Sequence, residues 1–69
     1  MTPLKRAMFI APIYLPGAGE KTVKGCMAND EQTLEIHRVA DLNFVRVTNK
    51  YGRLEIPLSN IASMETVLT

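Results

Sequence analysis

The chain has no tryptophan, one cysteine and one histidine, and its aromatic side chains are two Tyr and two Phe in 69 residues. Cys26 alone cannot close an internal disulfide, and one Cys with one His cannot supply a four-ligand zinc set, so no metal site is expected. A chain without bridges fits a reducing compartment, most simply the cytoplasm. Charge of one sign is also missing: eight Lys and Arg stand against seven Asp and Glu. A dedicated nucleic-acid binder draws most of its affinity from phosphate contacts and carries a basic excess, which this chain lacks. No apolar run approaches the roughly 20 residues that cross a bilayer as a helix. A length of 69 residues excludes separate cofactor and substrate domains.

What is present reads as one folded unit over residues 1–69. Leu, Ile, Val and Phe supply 19 residues, and apolar residues make up 46% of the chain, which argues against disorder at a net charge of +1. Near the start, Lys5 and Arg6 precede an apolar run from Ala7 to Leu15, and small residues follow at Gly17, Ala18 and Gly19. This is a faint copy of a secretory signal. Pro12 and Tyr14 interrupt it, and its removal would leave ~50 residues, near the lower limit for unaided folding, so a first strand is the expected structure.

Turn residues fall at Pro16-Gly17-Ala18-Gly19, Asn29-Asp30, Asp41-Leu42-Asn43 and Asn49-Lys50-Tyr51-Gly52, with short β-prone runs between them. That is the pattern of an all-β chain. Residues 44 to 57 predict a hairpin around the loop Asn49 to Gly52, Gly52 being free to take positive φ. Val47 then faces Leu54 and Val45 faces Ile56 on one side, and Arg46 faces Glu55 on the other. A slip by one residue would expose the whole apolar set. A second hairpin, with Asn29 to Gln32 as its loop, would set Met27 opposite Leu34, Cys26 opposite Glu35, and Lys24 opposite His37. The competing reading is a helix starting at Asp30; the β-branched Thr33, Ile36 and Val39 favour strand. Pro57, which lacks a donor, ends the fifth run, Ser59 and Asn60 suit one tight helical turn near residues 58–61, and Ile61, Met64 and Val67 are expected to return to the core.

The order hairpin, Ile56-Pro57, Ser59-Asn60, Ile61, last strand resembles the distal half of a Src-homology-3-like barrel over residues 43–67, with Leu58 as an extra residue. The acidic, aromatic-rich first loop and the Trp pair of that family are absent, so the resemblance implies the small barrel itself. The expected fold is a single antiparallel barrel of five or six strands.

Several constellations invite chemistry. Gly17-Ala18-Gly19-Glu20-Lys21-Thr22 echoes a phosphate loop, but Glu20 stands where an anion would bind and the continuation is strand-like, so a connecting loop is expected. Cys26 and His37 form no nucleophile–base pair if Glu35 faces the thiol, because a carboxylate opposes thiolate formation, and both then read as ordinary surface side chains. No catalytic residue and no cofactor is expected. Two surfaces remain. Along the first strand, if Phe9, Ile13 and Leu15 point inward, Met8, Ile10, Pro12 and Tyr14 point outward. The outward four are the expected contact set for a protein partner or a second copy, the other reading being a covering loop of the same chain. Around the hairpin tip, Arg46, Lys50, Tyr51 and Arg53 gather cationic and aromatic groups that suit nucleic acid. The expected function is a non-catalytic interaction module, an adaptor, assembly factor or inhibitor of the kind that small phage and mobile-element accessory proteins present. A nucleic-acid-binding barrel is the alternative, and neither a membrane nor a small-molecule substrate is indicated.

Overall fold

A computed structural model describes residues 2–67. Alternating apolar and polar side chains fold them into six strands: β1 (Thr2–Ile13), β2 (Val23–Met27), β3 (Gln32–Val39), β4 (Leu42–Asn49), β5 (Gly52–Pro57) and β6 (Ile61–Thr66), with a 3-10 turn at Leu58–Asn60 between the last two. All pairings are antiparallel. β3, β4 and β5 form a meander, and β1 joins it through β3, with Thr2 opposite Ile36 and Leu4 opposite Leu34. The other edge of β1 carries β6, from Leu4–Thr66 to Phe9–Ile61. The sheet curls through 190° into a half-barrel. The architecture is Src-homology-3-like.

The curl wraps one face around a core of Leu4, Ala7, Phe9, Cys26, Leu34, Val45, Val47 and Ile56. These come from β1 to β5, so no strand pair holds the fold alone. Ile13, Leu15, Val23, Ile36, Leu54, Leu58 and Ile61 pack around them. Where β1 passes the 3-10 turn, the side chain of Asn60 replaces a strand: the amide of Ala11 donates to its Oδ1 at 2.9 Å, and its Nδ2 donates to the Ala11 carbonyl at 3.2 Å.

The β4–β5 register is the expected one, Val47–Leu54, Arg46–Glu55 and Val45–Ile56. Asn49 and Gly52 also pair, so Lys50 and Tyr51 alone make the turn, and Gly52 takes a φ of 151°. The second hairpin is corrected. Residues 32–39 are strand and not helix, but β2 pairs with β1, placing Cys26 opposite Ala7, and only an isolated Asn29–Gln32 bridge links it to β3 among the described residues. β2 and β3 thus follow one another along the same edge of β1, and the amide of Ala28 donates to the Lys5 carbonyl at 2.8 Å between them. β3 gives its length to β4 instead, through eight pairs closed by a turn at Ala40-Asp41. This arrangement wins because it buries Cys26 with Ala7 and sets Glu35 against Arg46, where the alternative would have left the thiol facing a carboxylate. At the C-terminal end, Ile61 packs on the core, whereas Met64 and Val67 stay exposed, β6 pairing with β1 alone among the described residues.

Candidate functional site

Side-chain alternation sets the outward strip of β1. Phe9 is buried and Ile13 half-buried, so Met8, Ile10 and Pro12 point away from the core. Ile10 is 66% exposed and Tyr14, just past the strand end, 61%. Met8 is less exposed than Ile10 and Tyr14, its thioether lying over Gly25 of β2 where an added Cβ would meet it. The loop after Tyr14 leaves Ile10 and Tyr14 exposed, and its start, Pro16 and Gly17, lies against the β4–β5 tip.

Beside this strip the half-barrel leaves a seam. A groove of about 490 Å³ separates Pro12, Ile13 and Tyr14 from the run Leu54 to Pro57 of β5, with Asn60 at its end. Pro12 and Tyr14 therefore belong both to the outward strip and to a groove wall, whereas Met8 and Ile10 lie outside the groove.

The hairpin tip divides. Lys50 and Tyr51 are exposed, with Lys50 Nζ 5.1 Å from the centre of the Tyr51 ring, and Arg53 is exposed beside them. The ring edge of Tyr51 occupies the place where a Cβ of Gly17 would stand, so the β1–β2 loop is docked on the tip. Asn49 fastens that docking: its Nδ2 donates to the Pro16 carbonyl at 3.0 Å and to Gln32 Oε1 at 3.2 Å, and its Oδ1 accepts from the Tyr51 amide at 2.8 Å. A small cleft of about 110 Å³ opens between Pro16, Gln32 and Tyr51.

Arg46 does not belong to the tip. Its side chain is 15% exposed and lies on the outer face of the meander between two carboxylates. Its Nε donates to Glu55 Oε1 at 2.5 Å, and its Nη1 lies 3.9 Å from Glu35 Oε1. His37, expected at the surface, is half-buried in the same cluster, with Nδ1 2.6 Å from Arg46 Nη2 and 3.3 Å from Glu55 Oε1. Nδ1 cannot serve both at once: the tautomer with its proton on Nδ1 donates to Glu55 and can accept from Arg46 at Nε2, 3.2 Å away, and the other tautomer accepts from Arg46 at Nδ1. Burial pushes the Glu55 carboxyl up, but the hydrogen bonds and charges of Arg46 and His37 outweigh it and hold the group below the usual glutamate range.

Cys26 is buried, not a surface thiol, and burial pushes its pKa up to about 11. The thiol is therefore protonated at neutral pH, through desolvation and not through Glu35, which pairs with Arg46 across β3 and β4. The glycine-rich stretch 17–22 leads into β2 and not into a helix, so it offers no phosphate cradle. Among the described residues no group of three His, Cys, Asp or Glu side chains is arranged to hold a metal ion. None of their helices is long and apolar enough to cross a membrane. Compared with family models, curated proteins and solved structures, the chain matches none of them.

The sequence pointed to the outward strip correctly in its facing. It did not show the groove, because β1 and β5 lie some forty residues apart and meet only through the curl of the sheet. The Arg46–Glu55 pair was visible, and Glu35 and His37 were missed as its companions because their strand had been paired with β2.

Proposed function

We propose that the chain is a cytoplasmic, non-catalytic interaction module that works by occupying a protein surface, and that its contact surface is the outward side of β1: Met8, Ile10, Pro12 and Tyr14. The observation that carries this reading is the exposure of Ile10 and Tyr14, at 66% and 61%, on a strand whose other face closes the core. Ile10 and Tyr14 are large apolar side chains that gain from being covered by a partner, at about 25 cal/mol per Å² removed from water. Small barrels of this architecture commonly serve as protein-binding modules, and nothing in the titratable groups supplies a nucleophile with a base.

The nucleic-acid reading rests on Lys50, Tyr51 and Arg53, and Arg46 no longer supports it, since two carboxylates already engage that guanidinium. The test is capture of a partner from the native host by the wild-type chain and by Ile10→Asp and Tyr14→Asp variants. The expected result is loss of the partner by both variants with circular dichroism unchanged. Partner capture that ignores both substitutions would overturn the reading. A salt-sensitive shift of labelled RNA or DNA that disappears in Lys50→Ala would place the contact at the tip instead.

A further inference from the structure

Among the described residues, β5 pairs with β4 on one side and with nothing on the other. Because Asn49 and Gly52 are the pair that closes the turn, they must exchange backbone hydrogen bonds, and so must Val47 with Leu54 and Val45 with Ile56. The alternate residues Arg53, Glu55 and Pro57 therefore direct their backbone groups away from β4. Beside Arg53 and Glu55 no further strand lies along these groups among the described residues, whereas the Pro57 carbonyl closes the first turn of the 3-10 segment Leu58–Asn60. Pro57 occupies an outward position, where its missing N–H removes no bond from the β4–β5 ladder. The edge thus offers the two N–H and two C=O groups of Arg53 and Glu55 to an incoming strand, and the groove of about 490 Å³ lies alongside it.

We propose that this edge pairs with the same edge of a second copy of the chain, as an antiparallel two-fold dimer centred on Leu54. The choice of occupant follows from the charges. Backbone direction allows a two-fold axis at Arg53, Leu54, Glu55 or Ile56. The axis at Arg53 sets Arg53 against its own copy, and the axis at Glu55 opposes two carboxylates. The axis at Ile56 pairs Glu55 with Pro57, which has no donor. The axis at Leu54 alone pairs Arg53 of each copy with Glu55 of the other, forming four backbone hydrogen bonds and two cross-strand ion pairs. Glu55 is already held by Arg46 and His37, so its carboxylate is oriented before the second copy arrives. Leu54 faces the core side and meets its own copy across the axis. Pro12 and Tyr14 stand across the groove from this edge, but Met8 and Ile10 lie outside it, so a substitution at Ile10 distinguishes the edge from the outward strip of β1.

The experiment is sedimentation equilibrium of the full chain from micromolar to millimolar concentration, with amide hydrogen exchange at both ends of that range. The wild type is expected to shift from monomer to dimer, and the Arg53 and Glu55 amides to exchange more slowly in the dimer. Arg53 is exposed, so Arg53→Glu keeps the structure and turns both ion pairs repulsive. It should raise the dissociation constant roughly tenfold or more. Mixing Arg53→Glu with Glu55→Arg restores opposite charges at both pairs and should give a heterodimer where each variant alone is monomeric. If Glu55→Arg does not fold, the exchange of the two amides in wild type and Arg53→Glu decides alone. A monomer at every concentration, a dimer indifferent to Arg53→Glu, or protection absent from both amides overturns the proposal; a dimer lost only on Ile10→Asp would do so by placing the second copy on β1.

Discussion

Glu55 joins three strands through one carboxylate. It faces Arg46 across the β4–β5 ladder and reaches His37 on β3. Its folded-state pKa is lowered, so the bound form of the folded chain is the carboxylate. The stability it contributes is fully present above the pKa of an unfolded glutamate, about 4.3, and is lost as pH falls through the lower folded value. Chemical denaturation of the wild type should therefore weaken below about pH 4, and Glu55→Gln should flatten that part of the profile while lowering stability at pH 7. An identical acid limb in both proteins would show that the charge of Glu55 contributes nothing. Cys26 shows the contrary case, a titratable group whose burial keeps it out of charge chemistry altogether.

Among the elements, the loop between β1 and β2 shows how an irregular segment is held without regular pairing. Gly17 and Gly19 both have positive φ, at 84° and 69°, a region in which side chains are strained. Gly19 has open space around it, whereas Gly17 lies against the Tyr51 ring. Gly19→Ala should then cost about 1 kcal/mol of stability from the backbone alone. Gly17→Ala should cost ~2 kcal/mol or more, because the ring must also move. Equal losses in urea titration would show that the loop does not rest on the tip. Nothing in the residue order announced this docking, since Asn49 and Pro16 meet through a side-chain amide across 33 positions. The β4–β5 hairpin was legible for the opposite reason: apolar alternation on both strands and a flanking glycine agree on one register. β2 was not, because five residues carry too little pattern to choose between two neighbours, and the choice lay with β1, whose length lets it accept both β2 and β3 on one edge.

Taken whole, the molecule buries its core by curling one sheet, and among the described residues β5 and β6 have no outer neighbour. Facing along β1 could be read from alternation, because Phe9 and Ile13 share one side of the strand and Met8, Ile10 and Pro12 the other. The seam could not, because it is produced by the 190° curl and not by any local run of residues. The two proposed contacts, β1 outward and β5 edgewise, are accordingly different in kind, one made by exposed side chains and the other by unpaired backbone.

The pairing of β1 with β6 joins Arg6 to Glu65, 59 positions apart, whereas β3, β4 and β5 are linked by two tight turns. Time therefore enters the structure asymmetrically. Closing a short loop takes little entropy, and bringing the chain ends together takes more and is rewarded only once the meander exists to receive β1. The meander should be largely formed at the rate-limiting barrier, and β1 and β6 should add after it. In stopped-flow measurements Val47→Ala should mainly slow folding, and Phe9→Leu should mainly speed unfolding. The reverse pattern would place the earliest structure at the termini. With the expected order, the outward strip of β1 joins the barrel last and leaves it first, so a partner bound there would act chiefly by lengthening the lifetime of the folded chain.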